Sequence, residues 1–207
     1  MTRDQQPRPI GAIGTWWRRL RAAGDARAAR REAAHRLYVA LVGRARAPLY
    51  FEHLGVPDIP EGRFEMIALH GARVLRRLRA EGQPGMALGR ELLELMVADF
   101  DVNLREIGIG DLSVGKYVKR LARNVNARLD ALDRSLDAGD GEALRSMIAR
   151  NVYQGGAAPR PDQIAALADH LIGLDAGLRS VPGAALLRGD LPPDPLGKPI
   201  DPRKEGS

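Results

Sequence analysis

The sequence contains no cysteine among its 207 residues. Disulfide bonds, iron–sulfur clusters, thiolate zinc sites and cysteine nucleophiles are therefore excluded. Aromatic residues make up only 4 % of the chain. Alanine, arginine and glycine dominate it, as in bacterial proteins from GC-rich genomes. Lysine occurs only at Lys116, Lys119, Lys198 and Lys204.

A long unbroken hydrophobic run is also missing. The apolar stretch at residues 164–174 is interrupted by Asp169, His170 and Gly173, whereas a membrane-spanning helix needs about 20 nearly uninterrupted apolar residues. The N-terminus has no apolar segment of the kind found in secretory signals. We therefore expect a cytoplasmic protein, with peripheral binding to the inner membrane as the alternative location.

The positive charge is concentrated at the N-terminus. Residues 1–36 carry nine arginines and three acidic residues, which equals the net charge of +6 of the whole chain. Aromatic and cationic side chains together can lie among anionic lipid headgroups, each cation contributing about 1 kcal/mol. RNA binding, or a solvated arm whose tryptophans fold back on the domain, are the alternatives. The candidates for a membrane-binding arm are Trp16, Trp17, Arg18, Arg19 and Arg21.

Apolar residues spaced three and four apart predict an all-α fold, with one compact multi-helix domain at residues 25–189. We expect disordered arms at residues 1–24 and 190–207, because the first is short, basic and polar and the second is rich in proline. Glycine- and proline-rich segments separate the predicted helices. The predicted helices span residues 26–46, 61–81, 86–107, 114–137 and 142–153, with a last one beginning after residue 161.

The sequence shows no pattern of catalytic or metal-binding residues. None of the histidines has a metal-ligand spacing on one helix face, so we interpret them as surface or core polar residues, with haem ligation as a minor alternative. Asp99 and Asp101 point to different helix faces, which favours ion pairs over acid–base chemistry. We expect no enzyme, no cofactor and no metal. The histidines are His35, His53, His70 and His170.

Five short motifs occur in a fixed order along the chain. In this order they resemble the ubiquinol–cytochrome c chaperone family, over about residues 37–133. The chain departs from the family pattern at Ile59, where threonine is expected. The motifs are Tyr50-Phe51-Glu52-x-x-Gly55-Val56-Pro57-Asp58, Glu61-Gly62-Arg63-Phe64-Glu65, Leu69-His70, Asp99-Phe100-Asp101-x-x-Leu104-Arg105-Glu106-x-Gly108-x-Gly110-Asp111 and Val114-Gly115-Lys116-x-Val118-Lys119.

The resemblance implies a helical, non-enzymatic assembly factor for the cytochrome bc complex, respiratory complex III. The implied client is newly made cytochrome b or another bc-complex subunit. An anionic membrane surface, the ribosome and a small partner protein are further candidate partners, and DNA is not expected. The alternatives are a basic RNA- or ribosome-associated helical protein, and a haem carrier or unrecognised enzyme.

A client-binding groove for hydrophobic segments needs exposed apolar side chains between helices, and methionine suits clients of varied shape. The alternative for each such residue is a place in the core. The candidates for client binding are Tyr50, Phe51, Phe64, Met86, Leu88, Met96 and Tyr117. Charged residues near the predicted turns favour a network that fixes the helix ends. The candidates for this network are Asp58, Arg63, Asp101, Arg105, Glu106 and Asp111.

Overall fold

The protein is helical in every regular element that the structure describes. A computed structural model describes the backbone of residues 11–106 and 111–191, and the side chains of residues 21, 24–100, 123 and 125–191. A π-helical turn, Leu49–His53, joins the first two helices. The prediction of an all-α single domain is thus confirmed. The helices are α1 Gly11–Ala45, α2 Pro60–Arg79, α3 Gly82–Glu106, α4 Asp111–Asp137, α5 Gly141–Asn151, α6 Pro161–Ser180 and α7 Gly183–Leu187.

The first helix begins earlier than its apolar spacing predicts. α1 starts at Gly11 rather than near residue 26, so the part of the predicted flexible arm from Gly11 onward is helical. Alanine and arginine are strong helix formers, and α1 contains no proline, so propensity extends the helix through a polar segment. Among the described side chains of α1, which are those of residue 21 and of residue 24 onward, the first buried ones are Ala33 and Ala34. Residues 1–10 and, in the predicted tail, residues 192–207 lie outside the described residues.

Among the described residues, prolines lie in the first turns of α2, α3 and α6. Pro60 and Pro161 occupy the first positions of α2 and α6, where a missing N–H costs nothing. The two helices are separate as predicted, but the break lies at residues 80–81 rather than at residues 82–85. α3 begins at Gly82, so Pro84 lies in its first turn, and the chain between α2 and α3 is correspondingly short.

α2 is the central helix of the domain. It packs against α1, α3, α4 and α6, and every residue from Glu65 to Val74 is buried. A helix that is buried all round needs an apolar surface on every side or paired polar groups. Glu65, His70 and Arg73 are polar members of this buried run, and they shape the interior described below. None of the helices among the described residues is long and apolar enough to cross a bilayer.

Gly173 offers a simple test of how α6 is packed. It lies in the middle of the helix, it is exposed, and an added Cβ would meet no heavy atom within 4 Å. Glycine inside a helix costs about 0.5–1 kcal/mol relative to alanine. We therefore expect Gly173→Ala to raise the free energy of unfolding by about that amount in urea titrations followed by circular dichroism. A loss of stability would show that the surface of α6 is covered at this position.

Candidate functional site

All three phenylalanines of the chain are half-buried, whereas the core is mostly aliphatic. The rings of Phe64 and Phe100 meet edge to face, with their centroids 4.7 Å apart. The ring of Phe51 lies 5.8 Å from the guanidinium carbon of Arg63. Because Arg63 and Phe64 are consecutive, these contacts place three partly exposed rings around the start of α2. We call Phe51, Phe64 and Phe100 the aromatic face.

The loop between the π-helical turn and α2 is held at several points. The Val56 N–H donates to the carbonyl oxygen of Tyr50 at 2.8 Å, and the Tyr153 hydroxyl donates to the carbonyl oxygen of Leu54, also at 2.8 Å. Arg63 donates from Nε to Asp58 Oδ1 at 2.6 Å, and this hydrogen bond lowers the pKa of the Asp58 carboxyl. The aromatic face is thus attached to a fixed loop.

The Asp58–Arg63 pair is the part of the predicted charge network that lies among the described side chains. Both partners are about half exposed, so the pair contributes little to stability by itself and serves to hold the loop geometry. The side chains of the other predicted members lie outside the described residues. These members are Asp101, Arg105, Glu106 and Asp111.

Gly62 allows this loop to lie close to the first turn of α2. A Cβ added at Gly62 would overlap the carbonyl oxygen of Pro57 and lie 3.1 Å from its carbonyl carbon. We expect Gly62→Ala to lower the free energy of unfolding by about 1–3 kcal/mol, because backbone must move to accept the methyl group. Urea unfolding measures this, with Gly173→Ala as the control of opposite sign. A stabilised Gly62→Ala variant would contradict the close approach of the loop.

Three of the predicted client contacts are core residues, so their predicted place on an exposed groove is wrong. The exposed fractions of Tyr50, Leu88 and Met96 are 0 %, 1 % and 0 %. Met96 packs over Gly71 of α2, where an added Cβ would lie 2.5 Å from the methionine Cε. The missing side chain at Gly71 brings α3 close to α2 and draws Met96 inward.

The other predicted contacts have different surroundings. Phe51 and Phe64 belong to the aromatic face, and Met86 on α3 is 40 % exposed. The side chain of Tyr117 lies outside the described residues, as do those of the predicted membrane arm before Arg21. Arg21 is exposed on α1. The unassigned side chains of that arm are Trp16, Trp17, Arg18 and Arg19.

Beneath the π-helical turn, a tyrosine joins two histidines that are far apart in sequence. The Tyr50 hydroxyl lies 3.0 Å from His70 Nε2 and 2.7 Å from His170 Nε2. His70 Nδ1 lies 2.8 Å from the carbonyl oxygen of Met66, so this nitrogen is the donor. In a neutral ring His70 Nε2 then accepts from the Tyr50 hydroxyl, whose oxygen accepts from His170. This chain ties the π-helical turn to α2 and α6.

Burial controls the charge of this interior. It lowers the pKa of His70 to about 3, with the positive charge of Arg73 acting in the same direction. His70 is therefore neutral at physiological pH. Burial also lowers the pKa of Arg73 to about 10, opposed by the negative charge of Asp175, so Arg73 remains a buried cation. Sequence spacing gave no sign that Asp175 acts on Arg73, because Asp175 lies on α6 and Arg73 on α2.

Ion pairs connect α2 to its neighbours. Arg128 of α4 donates from two nitrogens to the two carboxylate oxygens of Glu65, both at 2.9 Å. Arg76 bonds to Asp133 at 2.6 Å and to Asp175 at 3.2 Å, which joins α2 to α4 and α6. Arg76 and Arg128 lie outside the predicted network, and sequence reasoning missed them because their partners are at least 57 residues away. Among the described residues, no group of three or more potential metal ligands occurs.

The fold and its site define a class of protein. Charged side chains of α2 join it to neighbouring helices, and the three rings of the aromatic face remain partly exposed. The model of the ubiquinol–cytochrome c chaperone family matches residues 52–192. The chain belongs to the ubiquinol–cytochrome c chaperone family, and the predicted membership is confirmed.

A solved structure supports the same assignment. The chain is similar to the crystal structure of the Cbp3 homolog from Brucella abortus, with 33 % sequence identity and a TM-score of 0.68. The similarity covers 86 % of this chain and 94 % of that one. Among curated proteins, none matches the chain in sequence. The family match extends to residue 192, well beyond residue 133 where the motif resemblance ends, so α5 and α6 belong to the shared domain.

Proposed function

We propose that this protein is a non-enzymatic assembly chaperone for the ubiquinol–cytochrome c reductase complex, and that its client is newly made cytochrome b. The family match and the similarity to a Cbp3 homolog support the assembly role. The observation that supports cytochrome b as the client is the aromatic face. Phe64 and Phe100 contact each other inside the matched region and both remain partly exposed.

The aromatic face suits a hydrophobic client. An aromatic ring buries a large apolar area with few rotatable bonds, so a partly exposed ring gains free energy when a client covers it. Phe51 is set by the fixed loop and Phe64 by α2, so their positions are ordered before the client arrives. Binding is non-covalent and needs no cofactor, which agrees with a non-enzymatic role.

The N-terminal helix gives the chaperone a route to the membrane where cytochrome b is inserted. Residues 24–29 of α1 are exposed, and the helix continues back to the Trp16-Trp17-Arg18-Arg19 sequence. A basic helix with tryptophans lies in the interface of an anionic bilayer. We place the protein on the cytoplasmic side, peripheral to the inner membrane. The ribosome and a small partner protein stay predictions, and RNA binding would show a steep loss of affinity with salt.

Deleting the gene in its host tests the assembly role. We expect the b-type haem signal of the bc complex to fall in reduced-minus-oxidised spectra of the membranes, because less cytochrome b would reach the assembled complex without its chaperone. A plasmid copy should restore the signal. An unchanged spectrum, in a host without a second copy of the gene, would refute the proposed function.

Site-specific cross-linking tests the aromatic face itself. Benzoylphenylalanine at Phe51 or Phe64 should cross-link to newly made cytochrome b. The matched controls are Val39 and Ile172, which are 56 % and 39 % exposed on α1 and α6, and these should give little product. Equal cross-linking at all four positions would show that client binding is not centred on the aromatic face, even where the deletion result supports the assembly role.

A further inference from the structure

The guanidinium of Arg73 is buried without a partner at either of its terminal nitrogens. Arg73 is 1 % exposed, and its NH1 and NH2 groups make no hydrogen bond to protein. Asp175 is the acidic group that acts on it, but that carboxylate already binds Arg76 at 3.2 Å and Arg179 at 3.1 Å. A buried charged donor without an acceptor is costly, so such groups normally hold a bound ligand or water.

A small cavity adjoins this guanidinium. Its volume is about 20 Å³, enough for one water molecule or one monoatomic ion. Arg44 and His70 also line it, together with apolar residues of α1, α2 and α6 that include Leu41, Val74 and Leu174. His70 has no nitrogen left to accept a hydrogen bond, because Nδ1 donates to Met66 and Nε2 accepts from Tyr50.

Among the lining side chains, Arg73 supplies two terminal nitrogens without an acceptor, and none of the lining side chains supplies a free acceptor. A water molecule here would receive hydrogen bonds from Arg73, but its own hydrogens would meet no acceptor side chain. An anion needs donors alone, and the positive charges of Arg73 and Arg44 favour it electrostatically.

We propose that this cavity is a binding site for one small inorganic anion of halide size, held by the terminal nitrogens of Arg73 beside Arg44. The bound anion would join the end of α1 to α2 and α6. It would accept hydrogen bonds from the two terminal nitrogens of Arg73, which have no acceptor in the protein. The site is independent of the aromatic face and of the proposed chaperone role.

Anion-dependent melting of the full chain tests the proposal. At constant ionic strength, exchanging gluconate, which is too large for the cavity, for chloride should raise the melting temperature. The rise should reach roughly 5–10 °C once chloride exceeds its dissociation constant about 100-fold. Arg73→Met should abolish the difference between the two salts. Arg90→Met, which removes an exposed arginine of α3, should preserve it.

Bromide provides a readout that needs no variant. Crystals of the wild-type chain grown in bromide should show an anomalous peak within hydrogen-bonding distance of the Arg73 terminal nitrogens. Equal melting temperatures in chloride and gluconate, or a cavity without an anomalous peak, would overturn the proposal and assign the space to water. A peak at Arg73 without any anion-dependent melting would likewise overturn it, as an adventitious ion only.

Discussion

Glu65→Ala is expected to lower the free energy of unfolding by about 3–5 kcal/mol. Glu65 and Arg128 are about nine-tenths buried, and two hydrogen bonds of 2.9 Å join them. Removing the carboxylate leaves the Arg128 guanidinium buried without its anion, and that penalty exceeds the value of the pair itself. Urea unfolding followed by circular dichroism measures the change.

Two controls separate this penalty from simpler effects. The double variant Glu65→Leu with Arg128→Met removes both charges at similar volume, so it should recover most of the lost stability. Arg145→Ala breaks an exposed pair with Glu142, at 4.0 Å, and should change stability by less than about 1 kcal/mol. If Glu65→Ala were as mild as Arg145→Ala, α4 would not be docked on α2 as described.

Acid should destabilise the domain through His70. Burial lowers the pKa of His70 from 6.5 to about 3, so in this window the unfolded chain binds a proton that the folded chain refuses. Stability from this group is complete above about pH 6.5 and falls as the pH decreases toward 3, by up to about 1.4 kcal/mol per pH unit. Between pH 7.5 and pH 5 the loss from His70 is about 2 kcal/mol.

A substitution at His70 tests whether this residue causes the pH dependence of stability. His70→Gln keeps a hydrogen-bond donor and acceptor but cannot titrate. The unfolding free energy of this variant should therefore fall by about 2 kcal/mol less than that of the wild type between pH 7.5 and pH 5. The matched control is His35→Gln, which removes an exposed histidine outside the buried network. Urea titrations at pH 5 and pH 7.5 compare the three proteins. An unaltered slope in His70→Gln would mean that the folded protein accommodates a proton on His70.

Short-range patterns predicted the helices well and the interior poorly. The spacing of three and four residues located α2 because its apolar residues repeat. α1 begins as early as Gly11 because its residues have high helix propensity, although they show no apolar repeat there. The same patterns could not show whether Leu88 and Met96 line an exposed groove or lie in the core. Whether a residue on the apolar side of a helix is exposed or buried depends on which helix packs against it. Met96 is buried because Gly71 on the neighbouring helix leaves room for its side chain.

The polar interior was beyond prediction for a related reason. Tyr50, His70 and His170 each look unremarkable in their own segment, and they meet only because α6 returns to the π-helical turn from 120 residues away. The partners of Glu65 and Arg76 are likewise set by tertiary packing. The motifs contain Phe51, Phe64 and Phe100, which remain partly exposed, but only the first two were among the predicted client contacts.

The continuous first helix has a geometric consequence. Among the described side chains of α1, Arg30 is the first that forms an ion pair with α3, through Glu91 at 3.4 Å. The backbone of residues 11–29 precedes this pair as continuous helix. At 1.5 Å per residue they measure roughly 28 Å. In the proposed membrane-bound state, this helical segment would be a spacer of fixed length rather than a loose tether. With its tryptophan end in the headgroups, it would hold the aromatic face at a set distance from the bilayer and restrict which stretch of an emerging client comes within reach.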